Sequence, residues 1–146
     1  HCEDYPIIRW SVDRLVHEGR GSLANYPESR PIVSEVVATQ RAVALAEITN
    51  APVYIVHLSS AAALEVCRDA QARGISVYVE TRPLYLHLTS ERFRDSDGAK
   101  YVGQPPLREM SDVEALWDGL RTGTIHTICI LTLAFCITPD EFFITR

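Results

Sequence analysis

Apolar positions along the chain fall into two patterns. Short, β-branched runs recur at residues 52–57 (PVYIVH), 75–80 (ISVYVE) and 123–130 (GTIHTICI), each of strand length and nearly continuous, as strands covered on both faces require. Between them the apolar residues return at helical spacing. From Ser111, the residues Val113, Leu116, Trp117 and Leu120 share one face; Ser111-Asp112-Val113-Glu114 has the form of a capping box, and Gly123 ends the run. A second helix is predicted from Pro31 through Val36, Val37, Val43, Ala44 and Ile48 to a stop at Asn50-Ala51-Pro52, and a third from Ser60 to Gly74. Residues 10–19 predict a short helix after the first loop, and residues 94–109 a long polar loop containing Pro105-Pro106. The sequence has no internal repeat.

Strand and helix alternating at this rhythm predict an α/β fold with a parallel sheet and crossover helices. The 146 residues suffice for one core but fall well short of the roughly 250 of a complete (β/α)₈ barrel. With 47% apolar and 23% charged residues, the composition is that of a packed protein. A net charge of −5, with basic residues scattered singly, argues against nucleic acid as a partner. Cys2, Cys67, Cys129 and Cys136 form no C-x-x-C pair, so buried thiols in a reducing, cytoplasmic setting are expected. The apolar stretch Ile128–Ile137 is too short to span a bilayer, so no membrane partner is expected.

In a parallel α/β fold, ligands gather at the carboxyl ends of the strands. His57 ends its strand there, followed by Ser59 and Ser60 as helix caps, and Glu80 ends the next strand before a loop opening at Thr81-Arg82-Pro83. Each also has a plainer reading: His57 bonded to a nearby carbonyl, Glu80 paired with Arg82. His17, His87 and His126 have no companion and read as structural, and a Cys2–His57 nucleophile pair has no local signature behind it. Gly19-Arg20-Gly21-Ser22 reads as a turn. Dinucleotide, Walker, zincin and hydrolase-elbow signatures are all absent from the sequence.

Taken in order, HCEDYPII, APVYIVHLSSAAALE, ARGISVYVETRPLYLHLT, GAKYVGQPPLRE and LWDGLRTGTIHTIC resemble the dihydropyrimidinase and hydantoinase branch of the amidohydrolase superfamily, over residues 1 to about 129. Dihydroorotases and allantoinases share parts of the pattern. The resemblance implies the C-terminal half of a (β/α)₈ barrel over residues 1–129 and a divergent apolar tail over 130–146. It also implies a mouth holding two divalent metals, zinc foremost, bridged by a carboxylated lysine and a hydroxide that opens a cyclic amide. On this likeness His1 and His57 match metal ligands at the ends of the fifth and sixth barrel strands, and Gly103 and Gln104, just before the double proline, match the backbone that holds the substrate ring.

The departures are equally specific. No His-x-His is present, Lys100 is the only lysine and falls in a later loop, and the Ser-Asp-His stretch that brings the catalytic aspartate is replaced by ILTLAFCITPDEFFITR, in which Asp140 matches nothing. The expectation is therefore a chain inactive alone, cut at a ligand, whose partners are the missing barrel half, a cyclic amide and, when complete, further copies of itself. A non-catalytic interaction protein with a degenerate barrel, a dihydroorotase- or allantoinase-type relative, and an unrelated small α/β domain are the competing readings.

Overall fold

The computed structural model describes residues 1–129. The expected tail at 130–146, with Cys136 and Asp140, lies outside the described residues. Within them the chain runs α1 (Tyr5–His17), α2 (Tyr26–Ser29), α3 (Ile32–Thr49), β1 (Val53–Ile55), α4 (Ala61–Ala72), β2 (Val77–Thr81), α5 (Pro83–His87), α6 (Met110–Thr122) and β3 (Thr127–Ile128). Single 3₁₀ turns at Leu23–Asn25, Ser90–Arg94 and Gly98–Tyr101 occupy the connections.

The strands form a parallel sheet in the order β1-β2-β3, with Val53 opposite Val77, Ile55 opposite Val79 and Glu80 opposite Thr127. One core joins sheet to helices: Ile55, Val77 and Val79 pack with Val43 of α3, Leu64 and Cys67 of α4, and Leu116 of α6. The fold is thus α/β with parallel strands, as the patterning predicts.

Helix ends follow local chemistry. Asn50 closes α3 in the left-handed region at φ 53°, and Gly74 and Gly123 follow α4 and α6 at φ 82° and 81°, where a side chain would be strained. The Ser60 hydroxyl caps α4 by accepting from the Ala63 amide at 3.3 Å.

Four expectations are corrected. The first helix begins at Tyr5, not near residue 10, because the Asp4 carboxylate caps the Ile7 amide at 3.1 Å and Pro6 suits the first turn. α6 begins at Met110 with Glu109 as its cap; Asp112, rather than Glu114, closes the box, and Asp112 is drawn there because it also accepts from the Ala61 amide at 2.8 Å. The buried face of α3 is Ser34, Glu35, Thr39, Val43 and Ala46, while Val37 and Ile48 are exposed; near its start that face is held by hydrogen bonding, Glu35 accepting from the Ser59 amide and hydroxyl. The segment after Thr81 is the short helix α5, started by Pro83.

Candidate metal-binding site

β1 delivers the chain to a sharp turn. His57 takes φ 43°, a left-handed conformation uncommon for a residue with a side chain and found mainly where surrounding bonds over-determine it. Those bonds are present. The His57 amide donates to Glu80 Oε1 at 3.3 Å, the Leu58 amide to the Glu80 carbonyl at 2.8 Å, and the Thr81 hydroxyl to the Leu58 carbonyl at 2.8 Å. Two residues on, the Ser59 amide and hydroxyl donate to Glu35 at 2.7 and 3.0 Å.

The turn brings His57 to His1. Nε2 of His57 lies 2.6 Å from Nδ1 of His1, with ring centroids 4.6 Å apart and planes tilted by 53°. Residues 56 positions apart in sequence thus present ring nitrogens to one another. His57 is almost fully buried, and its Nδ1 has no hydrogen-bond partner among the described residues. Burial first, and the positive charge of Arg82 second, push the imidazole down to about 4, so the ring is neutral at neutral pH. A neutral imidazole keeps the lone pair that a metal needs.

The donor set fits part of a metal site. Imidazole nitrogens are a donor type that zinc takes at about 2.0–2.1 Å each, so the two facing rings, now 2.6 Å apart at their nitrogens, would part by several tenths of an ångström to hold one ion between them. Among the described residues, however, no group of three or more His, Cys, Asp or Glu side chains converges for a metal. His1 and His57 therefore form a two-donor arrangement.

The other residues singled out from sequence lie elsewhere. The Gly103 carbonyl accepts from the Tyr26 hydroxyl at 2.9 Å and the Pro105 carbonyl from the Tyr85 hydroxyl at 2.6 Å, which fixes the main chain around the exposed Gln104. No hydrogen bond joins Gly103 or Gln104 to the histidine pair among the described residues. Glu80 does not pair with Arg82. Its second oxygen accepts from the Tyr54 hydroxyl at 2.8 Å, and Tyr54 also meets the Thr127 hydroxyl at 2.6 Å. His87 stacks edge-on against Trp117 at 5.6 Å, and His126 Nδ1 accepts from the Val79 amide at 3.2 Å, so the structural readings of both fit. Cys2 and Cys67 are buried thiols whose ionisation burial pushes up, Cys67 to about 12, which leaves no reactive thiolate; Cys129 is half-buried.

Sequence reasoning missed Glu35, Arg30 and Arg108. Arg108 is buried in the loop after the double proline and donates to the Ser59 hydroxyl at 3.1 Å and the Arg30 carbonyl at 2.7 Å. Arg30 grips Glu3 through two bonds, at 3.0 and 2.6 Å. The available signal was Glu35 itself, a carboxylate on the same helical face as Thr39, Val43 and Ala46.

No protein-family model matches the chain. It is 42% identical over 130 residues to a D-hydantoinase from Ralstonia pickettii, covering 88% of this chain and 28% of that protein. It is 38% identical over 128 residues to an allantoinase from Deinococcus radiodurans, again covering 88% of this chain and 28% of the relative. Among solved structures, a dihydropyrimidinase from Brevibacillus agri superposes with a TM-score of 0.85 at 34% identity, over 92% of this chain and 30% of that one. A D-hydantoinase structure superposes with a TM-score of 0.84 at 42% identity, over 88% of this chain and 28% of that one. The chain thus spans less than a third of the length of these relatives. Sequence and fold together place it among the amidohydrolases. Within that class the chain belongs to the hydantoinase and dihydropyrimidinase family.

No helix among the described residues is long and apolar enough to cross a membrane.

Proposed function

We propose that the chain is the C-terminal-half portion of a (β/α)₈ barrel amidohydrolase that opens a cyclic amide at a C–N bond, and that His1 and His57 are two of its metal ligands. The convergence of His1 Nδ1 and His57 Nε2 to 2.6 Å carries this reading. Its support is the position of that pair at the carboxyl end of a parallel strand, where such folds keep their chemistry. A divalent metal, zinc foremost, would polarise the amide carbonyl and lower the pKa of bound water.

The chain's own residues bind and orient. His57 enters from a turn fixed by Glu80 and Glu35, and His1 from the segment that precedes α1. The carbonyls of Gly103 and Pro105, held by Tyr26 and Tyr85, fix the loop proposed to seat the ring of the substrate. The barrel's remaining half would supply the further ligands and a proton-relaying acid. The chain alone is accordingly expected to be inactive, and cytoplasmic residence and self-association of the completed barrel belong to the same proposal.

The two-donor limit among the described residues favours a second reading, a non-catalytic protein on the same fold. One experiment separates them. Zn²⁺ titrated into the full chain by calorimetry should bind, and binding should disappear in His57→Ala. Joining the chain to the N-terminal portion of a D-hydantoinase relative should then restore ring opening of hydantoin, dihydrouracil or dihydroorotate. A joined protein that folds and binds metal yet leaves all three intact supports the non-catalytic reading. Turnover by the chain alone that His57→Ala abolishes would overturn the two-half account.

A further inference from the structure

His1 and His57 are not adjacent in sequence, and their rings are exposed and buried respectively, so something must fix their separation. A continuous path of side chains does this. It starts at Ser59, two residues after His57, whose amide and hydroxyl donate to Glu35 at 2.7 and 3.0 Å. The same hydroxyl accepts from Arg108 Nε at 3.1 Å, and Arg108 Nη1 donates to the Arg30 carbonyl at 2.7 Å. Arg30 then holds Glu3, two residues after His1, through Nε at 3.0 Å and Nη2 at 2.6 Å. A shorter tie runs in parallel: the Asp4 amide donates to the Ser34 carbonyl at 2.9 Å, in the same helical turn as Glu35.

We propose that Arg108 and Glu35 are positioning residues that hold the two imidazoles in register, acting through Ser59 on one side and through Arg30 and Glu3 on the other. The inference rests on the reading of His1 and His57 as a donor pair. The path reaches the chain at the same offset behind each histidine, and neither Arg108 nor Glu35 is bonded to a ring.

Burial shows why a fold would keep such groups. Ser59, Glu35 and Arg108 are 1%, 2% and 5% exposed, and Arg108 Nη2 stands 3.9 Å from Glu35 Oε2. Taking a guanidinium and a carboxyl out of water carries a desolvation cost that apolar side chains of equal volume avoid. Stability alone is therefore a poor reason for the pair, and fixed geometry is a better one. Only arginine serves at position 108: its planar fork sends separate N–H groups to Ser59 and to Arg30, whereas a lysine ammonium has one nitrogen for both.

The test uses the full chain with Arg108→Lys, Glu35→Gln and, as a surface control, Arg73→Lys. Long-range ¹⁵N NMR of the imidazoles reads the pair directly, through the ring nitrogens that face each other in the parent. The Trp117 indole N–H, which donates to the Leu86 carbonyl at 2.8 Å, reports whether packing is intact. Expected is an unchanged Trp117 signal, displaced ring signals for both His1 and His57 in the first two variants, and a roughly 10- to 100-fold loss of Zn²⁺ affinity by calorimetry. The control should match the parent. Variants that keep the Trp117 signal together with parental imidazole signals and parental affinity would overturn the proposal.

Should Arg108→Lys lose the Trp117 signal, Glu3→Ala decides, since it removes both acceptors of Arg30 and cuts the path at its half-buried end. Displacement of the His1 ring supports the path, and a parental His1 ring refutes it. A parent chain that binds no Zn²⁺ would sink the ligand reading alone, because the NMR readout of the ring pair needs no metal.

Discussion

On the face of the sheet turned toward the helices, Ile55, Val77 and Val79 are 2%, 3% and 0% exposed, whereas on the other face Tyr54 and Tyr78 each keep 47% of their surface in solvent. Both sets come from runs that look alike in sequence, and strand register puts Tyr54 beside Tyr78 just as it puts Ile55 beside Val79. The difference lies in what each face meets. The first closes on Val43, Leu64 and Leu116 and draws its stability from apolar burial. The second has no helix over it among the described residues, and its groups bond to each other: Tyr54 to Glu80 and Thr127, and Glu80 onward to the His57 amide. Apolar burial is concentrated on one side of the sheet and the Tyr54–Glu80 bonds that reach the His57 amide on the other, while Glu35 of α3 holds the residues after His57 from the packed side.

Substitutions should therefore be severe on the packed side and mild on the open one. The largest effect is expected at Glu35, where alanine would strip acceptors from the Ser59 amide and leave the buried Arg108 without its carboxyl. Removing one member of a buried pair costs about 3–5 kcal/mol, which urea denaturation of the Glu35→Ala chain should show as an early midpoint or as no folded baseline. Leu116→Ala follows. This side chain is 0% exposed at the meeting of α6 with the core, and truncation there should cost about 2–5 kcal/mol by the same measurement. A Leu116→Ala chain as stable as the parent would dissolve the contrast between the faces.

How legible all this was in sequence depended on how local each cause is. The ends of α3, α4 and α6 could be read from Asn50, Gly74 and Gly123 because a left-handed residue is a property of its own neighbourhood. His57 stood out because a strand end is visible as the end of an apolar run, and His1 because the family resemblance supplied its partner. The start of α6 could not be placed by pattern. Ser111 and Glu114 offered a good capping box, but a tertiary bond from Ala61 fixed Asp112 as the closing residue and moved the cap to Glu109. The same holds for Glu35, whose burial follows from Ser59 and Arg108, 24 and 73 residues downstream. Apolar periodicity sees burial by exclusion from water and is blind to burial by hydrogen bonding.

Glu35 also gives the packed side a pH dependence. Burial raises its carboxyl above the usual glutamate range, outweighing Arg108 and the Ser59 and Ser60 donors that pull it down. A raised carboxyl binds its proton more tightly in the folded state than in the unfolded one. Its contribution is therefore most favourable below the ordinary glutamate pKa and diminishes as pH rises from there toward the folded value, with a slope of at most about 1.4 kcal/mol per pH unit. Urea midpoints of parent and Glu35→Gln across that window should diverge in slope, the variant being the flatter. Parallel curves would show that Glu35 does not titrate differently on folding.

The smallest effect sharpens the comparison from the open side. Tyr54→Phe removes one hydroxyl, the one that bonds Glu80 at 2.8 Å and Thr127 at 2.6 Å. A typical hydrogen bond contributes about 0.5–1.5 kcal/mol, and on an exposed face water can take the place of the lost partner, so the cost should fall at the bottom of that range. Tyr78→Phe, whose hydroxyl has no hydrogen bond among the described residues, should cost still less. The informative readout is local. With Tyr54 gone, Glu80 loses its lateral anchor, and its 3.3 Å bond from the His57 amide should loosen. Amide hydrogen exchange at His57 should then accelerate in Tyr54→Phe and stay parental in Tyr78→Phe, while exchange at Val79, in the middle of β2, is unaffected in both. If Tyr54→Phe instead lowered the urea midpoint as far as Leu116→Ala, the open face would be carrying stability after all, and Glu80 would belong to the core and not to the histidine turn.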